Sequence, residues 1–162
     1  MGLFLFVTLV PGPPARFGPV YNGVYNDQVH LFWQAPCEPN DAIDGYQLTY
    51  GEEGKAQTKA LLLGPRTRTK IITDLEMLKR YWFKLRARGK NNGYGPFFTF
   101  FAKTRGPARK PGQPGRPIVQ PGSVQATVRW MNGDSGNVPF EKFEIQGKTS
   151  GKARKFDTIS TT

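Results

Sequence analysis

The chain is poor in the side chains from which most reactive centres are built. Its 162 residues include one cysteine, Cys37, and one histidine, His30. A single cysteine forms no internal disulfide, so the fold must hold by burial alone, which a sandwich of about 95 residues can supply. Cys37 stands between Pro36 and Pro39 in an expected loop, either an incidental loop residue or an exposed thiol. His30 has no cysteine or aspartate at ligand spacing and no nucleophile to activate, so a metal site and a Ser-His-Asp arrangement both fall away. It is expected to face outward. Acidic residues are few, 12 against 23 Lys and Arg, and the close pairs Asp41 with Asp44 and Glu52 with Glu53 lie in expected turns, where carboxylates are usually solvated. Neither an Asn-x-Ser/Thr acceptor nor an Arg-Gly-Asp triplet occurs. Gly93-x-Gly95 lacks the strand-to-helix setting that a phosphate loop requires. Catalysis and resident cofactors are therefore not expected.

Long apolar runs are missing too. The longest, Leu3 to Val10, has eight residues, far short of a bilayer span. Residues 1–10 read as an apolar lead-in or the remnant of a preceding domain; as a signal segment they lack a basic start and a small-x-small site. Helical patterning is equally scarce, since Asp74 to Arg80 is too short to stand alone.

What remains is alternation. Val29-His30-Leu31-Phe32-Trp33 and Tyr81, Phe83, Leu85, Ala87 repeat with period two, the signature of half-buried strands. With Gly 19 and Pro 14 supplying turns, strands are expected near 16–20, 28–34, 45–50, 57–63, 67–73, 81–89 and 97–104. Asn91 to Pro96 joins the last two as a turn. The expected architecture is all-β, a seven-stranded two-sheet sandwich followed by an incomplete second copy. Trp33, Tyr46, Leu48, Leu75, Tyr81, Phe83 and Leu85 form its expected core, and Trp130 occupies the corresponding place in the second copy.

Two proline-glycine marks, at Pro11 and Pro114, each precede a strand ending in tryptophan, and Trp33 and Trp130 are 97 residues apart. That spacing suggests tandem modules: a complete domain over 11–105, a basic Pro/Gly-rich linker over 106–116 that is extended and stiff, and a truncated second domain over 117–162. The second copy shows strands near 124–130 and 142–147 and no counterpart of Tyr81, so it is expected to be marginal alone.

The net charge of +11 is concentrated. Residues 66–116 hold fourteen Lys or Arg against Asp74 and Glu76. If Tyr81, Phe83, Leu85 and Ala87 point inward, then Trp82, Lys84, Arg86 and Arg88 point outward, with Thr99, Phe101 and Lys103 beside them and Phe98 and Phe100 inside. A guanidinium stacked on Trp82 would order this basic ladder. Such a ladder can simply keep a sheet soluble and its edges unpaired. It can also bind a polyanion such as heparan sulfate, acidic lipid headgroups or an acidic protein. Nucleic acid is not expected as a partner, because no recognition helix, zinc spacing or aromatic signature accompanies the charge.

Trp33, Gly45-Tyr46-Gln47-Leu48-Thr49-Tyr50, Leu75, Tyr81-x-Phe83-x-Leu85-x-Ala87 and Gly93-Tyr94-Gly95-Pro96 together resemble a fibronectin type III domain over nearly all of residues 11–105. Arg86-Ala87-Arg88, Pro114-Gly115-Arg116-Pro117-Ile118 and Arg129-Trp130-x-x-Gly133-Asp134-Ser135-Gly136 narrow the resemblance to the membrane-proximal type III domains of the Sidekick family of cell-adhesion proteins. That resemblance implies a non-enzymatic, extracellular or cell-surface module of a single-pass membrane protein. Its partners would be other cell-surface proteins, or itself, in homophilic adhesion at synapses. The family's immunoglobulin-like domains, membrane span and cytoplasmic tail have no counterpart in this chain, so no adhesive residue carries over. A receptor module gripping a protein ligand through loops 37–44 and 91–96 is the alternative.

Overall fold

The computed structural model describes residues 10–123, 125–147 and, for the backbone alone, 157–161. The lead-in expected over residues 1–10 lies outside the described residues except for Val10. No helix occurs among the described residues, and the segment Asp74 to Lys79 runs as turn and coil. The chain forms two compact units, residues 1–108 and 109–162.

In the first unit β1 (Ala15–Val24), β2 (Val29–Gln34) and β5 (Thr69–Ile72) make one sheet in the order β1-β2-β5. The second sheet runs β4 (Lys59–Leu63), β3 (Ile43–Glu52), β6 (Arg80–Gly89) and β7 (Gly93–Tyr94), and β8 (Phe98–Lys103) also pairs with β6. Every pairing is antiparallel. The seven expected strands are all present, with ends shifted by a few residues. The short β7 lies inside the stretch expected to be turn alone, because Gly95 N–H donates to the Ala87 carbonyl and draws residues 93–94 back onto β6.

The period-two patterns explain the layers. Phe17, Val29, Leu31, Trp33 and Ile72 from one sheet meet Tyr46, Leu48, Tyr50, Tyr81, Phe83, Leu85 and Ala87 from the other in one buried cluster, with Leu75 at its margin. Trp33 is edge-on to Tyr46 at 5.8 Å and to Phe17 at 6.4 Å, an arrangement that aligns ring edges with ring faces. The Tyr81 hydroxyl accepts the Glu76 amide at 2.9 Å, pinning the crossing between the sheets back onto β6. The Thr104 hydroxyl donates to the Glu76 carbonyl at 2.6 Å and accepts the Lys79 amide at 3.0 Å, closing the same corner from β8.

One expected placement needs correction. Phe98 is 38% exposed rather than inside, because it begins edge strand β8, where its ring meets Phe17 edge-on at 6.2 Å. Phe100, two residues on, is half-buried and stacks on Phe83 at 5.1 Å. His30 lies on the outward side of β2, between the buried Val29 and Leu31, and is half-covered there: it is bonded to Gln28 at 3.0 Å and set against Tyr25, and this partial burial pulls the imidazole below its ordinary value.

The second unit contains β9 (Ile118–Pro121) paired with β10 (Ala126–Arg129), and β11 (Glu144–Gly147) paired with β12 (Asp157–Thr161). The expected strand over 124–130 is thus shorter, and β9 and β12 add to the two strands expected. Within the stretch expected as linker, Arg109, Gly112 and Gly115 donate backbone hydrogen bonds to Gly136, Asp134 and Met131, so these residues are tied to the second unit. Trp130, expected in the core, is half-buried: it packs on Phe143 at 5.5 Å, and Phe143 on Phe140 at 5.1 Å.

Candidate functional site

Strand β6 has β3 on one side and β8 on the other, so its outward side chains occupy the middle of the five-stranded sheet. Registration sets Trp82 between Gly51 and Phe101, Lys84 between Thr49 and Thr99, and Arg86 opposite Gln47. Arg88 lies between Gly45 and Tyr94. The expected ladder is therefore present as a row: Trp82, Lys84, Arg86 and Arg88 share the outer face with Phe101 and Lys103.

Glycine makes the row possible at one point. A Cβ at residue 51 would meet the Trp82 indole at 2.8 Å, so only Gly51 lets that ring lie across β3. A second glycine, Gly93, holds φ at +80° in the turn that returns the chain to β6. The return places Tyr94 and Phe97 over the far end of the ladder.

The aromatic partners differ from those expected. Trp82 receives the Lys84 ammonium, 5.1 Å from its ring, rather than a guanidinium. The guanidiniums stack elsewhere: Arg80 over Phe101 at 5.0 Å, and Arg86 over both Tyr94 at 4.1 Å and Phe97 at 4.5 Å. Lys84 is Trp82's neighbour on the outer face of β6, whereas Arg86 lies against the 93–97 return. Arg86 Nε also donates to Gln47 Oε1 at 2.7 Å.

Charge along the row is uneven. Arg88 pairs with Asp44 at 2.8 Å, and Arg80 with Glu53 at 3.4 Å. Among the described residues Lys84, Arg86 and Lys103 have no carboxylate within 4 Å. Among the described residues, three of the cations on this face thus have no internal counter-charge.

Sequence reasoning overlooked the loop clamp beside the row. The Asp41 carboxylate accepts the Asn91 and Asn92 amides, each at 2.8 Å, and the Asn91 side-chain amide at 3.0 Å. These bonds, led by that from Asn92, hold its carboxyl below the usual aspartate range. An Asp near an Asn-Asn-Gly turn carries no local sign that the two will meet, since they are 50 residues apart. Cys37 is exposed in the same loop.

Among the described residues no group of three or more His, Cys, Asp or Glu converges, and no helix is long and apolar enough to cross a membrane. In the second unit a groove of about 440 Å³ is lined by Pro114, Val128, Trp130, Phe143 and Ile145 together with the polar Gln113, Glu144 and Gln146.

A family model for the fibronectin type III domain matches residues 17–98. Protein sidekick-2 of Gallus gallus is 31% identical over 142 residues, which is 85% of this chain and 6% of that protein. Neural cell adhesion molecule L1 of Homo sapiens is 40% identical over 68 residues, covering 40% of this chain and 5% of its own length. The chain therefore spans only a small part of the curated relatives it matches. Among solved structures, the FN1–FN3 domains of chicken CNTN1 superpose with a TM-score of 0.50 at 19% identity, over 59% of this chain and 31% of theirs. That likeness concerns the fold alone. With its two-sheet sandwich, its clasping Trp33 and Tyr81 and the family match across β1 to the start of β8, the chain belongs to the fibronectin type III domain family.

Proposed function

We propose that this chain is a non-enzymatic, extracellular adhesion module that spaces its neighbours along a cell-surface protein and presents the outer face of β3, β6 and β8 to a protein on an apposed surface. The similarity to sidekick proteins and to a neural cell adhesion molecule supports a role in cell adhesion, and within this proposal the contact is homophilic and synapse-related. The observation that carries it is the exposed aromatic and cationic row itself. Trp, Tyr and Arg, the residues that dominate protein interfaces, stand together on one flat face that the fold does not need to cover. The test is aggregation of beads coated with the 162-residue chain, together with their retention on neuronal cells. Wild-type beads should clump or adhere, and Lys84→Glu with Phe101→Ala should reduce this by about tenfold, the scale of one lost hot spot. Wild-type beads that do neither would remove the proposal.

A second reading, a receptor module binding heparan sulfate or acidic lipid, is favoured by the unneutralised Lys84 and Lys103 and by the fourteen basic residues of 66–116. It predicts salt-sensitive heparin retention that drops in Arg86→Ala with Arg88→Ala. Unchanged retention in that double variant would exclude it.

A further inference from the structure

The four cations of β6's outer face are not equivalent. Asp44 pairs with Arg88 and Glu53 with Arg80, which leaves Lys84 and Arg86 as the cations of that strand with no carboxylate within 4 Å among the described residues. Arg86 is also the most constrained of the four. Gln47 fixes its Nε at 2.7 Å, and the Tyr94 and Phe97 rings lie 4.1 and 4.5 Å from its guanidinium carbon. A guanidinium has five N–H donors in one plane. With Nε committed and aromatic rings against the planar group, the donors still open are those of the two terminal nitrogens, whose geometry matches the two oxygens of a carboxylate.

We propose that Arg86, clamped by Gln47, Tyr94 and Phe97 with Lys84 beside it, is a prebuilt anchor for an aspartate or glutamate flanked by apolar residues on a protein partner. This rests on the reading of the outer face as a protein contact and names the chemistry that the contact takes.

Two features favour a protein carboxylate over a sulfated glycan or a lipid headgroup. A polyanion gains affinity by adding free cations in series, and two of the four outward cations of β6 are already paired within the domain. The surroundings of Arg86 are apolar as well: Tyr94, at 4.1 Å, is 36% exposed and Phe97, at 4.5 Å, 42%. One charged anchor inside a rim of aromatic surface is the anatomy of a protein hot spot. Because the guanidinium is already held, little side-chain freedom remains to be lost on binding.

The experiment is panning of a displayed random-peptide library against the whole chain, wild type and Arg86→Lys in parallel. Heparin and vesicles containing phosphatidylserine serve as comparison probes. The expected result is enrichment of peptides with a single Asp or Glu between aliphatic or aromatic residues, and at least tenfold weaker binding of those peptides to Arg86→Lys. That variant keeps the charge but loses the planar fork, so heparin and vesicle binding should hold steady. Phe97→Ala, a change at an exposed loop position, should weaken the same peptides several-fold without endangering the fold. No acidic enrichment, or peptide binding indifferent to both substitutions, overturns the proposal. Loss of heparin or vesicle binding in Arg86→Lys without peptide enrichment also overturns it and assigns the face to polyanions. If Arg86→Lys beads still aggregate or adhere like wild type, the anchor falls while the adhesion reading stands.

Discussion

Tyr81 carries two duties that can be separated. Its ring sits in the core, while its hydroxyl accepts the Glu76 amide. Tyr81→Phe keeps the ring and strands that amide, so it should cost about 1–3 kcal/mol in urea unfolding with an unchanged slope. Leu85 has no comparable polar duty and is fully buried. Leu85→Ala should cost about 2–5 kcal/mol by the same measurement, through lost burial and the cavity left behind. Asp41 acts through charge. Its folded carboxyl titrates below the ordinary 3.8, so as pH falls the unfolded chain takes up the proton first. The clamp's contribution is whole above the ordinary value and disappears as pH drops through the folded one. Asp41→Asn mimics the protonated form, so its melting temperature should lie below that of wild type at neutral pH. The gap should close in acid, below about pH 4.

Strand β6 decides most of what this domain presents. Its inward residues Tyr81, Phe83, Leu85 and Ala87 were legible from alternation, and the same alternation placed Trp82, Lys84, Arg86 and Arg88 outside. Which aromatic each cation meets was not legible. Stacking partners come from β8 and from the 93–97 return, and their overlap with Arg86 depends on strand twist and on Gly93, neither of which a period-two pattern records. Phe98 was misplaced for a similar reason, since alternation assigns a side but not whether the opposite sheet extends far enough to cover it. Gly51 gives this element its own test. Gly51→Val places a branched side chain where the Trp82 indole lies, and overpacking of this kind typically costs 1–3 kcal/mol, about the range expected in urea unfolding. The displaced indole should become more exposed, and quenching of tryptophan emission by iodide should rise.

The two units differ in what holds each together. The first has a continuous buried cluster spanning both sheets. The second, among its described residues, relies on the half-buried aromatic group Trp130, Phe140 and Phe143 and on backbone bonds from Arg109, Gly112 and Gly115. Burial scales with stability, so guanidinium unfolding should proceed in two steps, with the second unit opening first. Trp130→Phe should leave the later step in place while removing most of the fluorescence change of the earlier one, because Trp33 and Trp82 belong to the first unit. A single cooperative transition in both proteins would contradict this. Hydrophobic period and turn residues were enough to establish an all-β sandwich, its strand order along the chain and which side of each strand faces inward, since those are local properties of a pleated backbone. The rest required the folded chain. Asp41 reaches Asn91 and Asn92, Thr104 closes the Tyr81 corner, and Asp44 and Glu53 silence two of the four β6 cations across 44 and 27 residues of chain. Those pairings depend on which loops the two sheets bring together, and no local pattern encodes that distance.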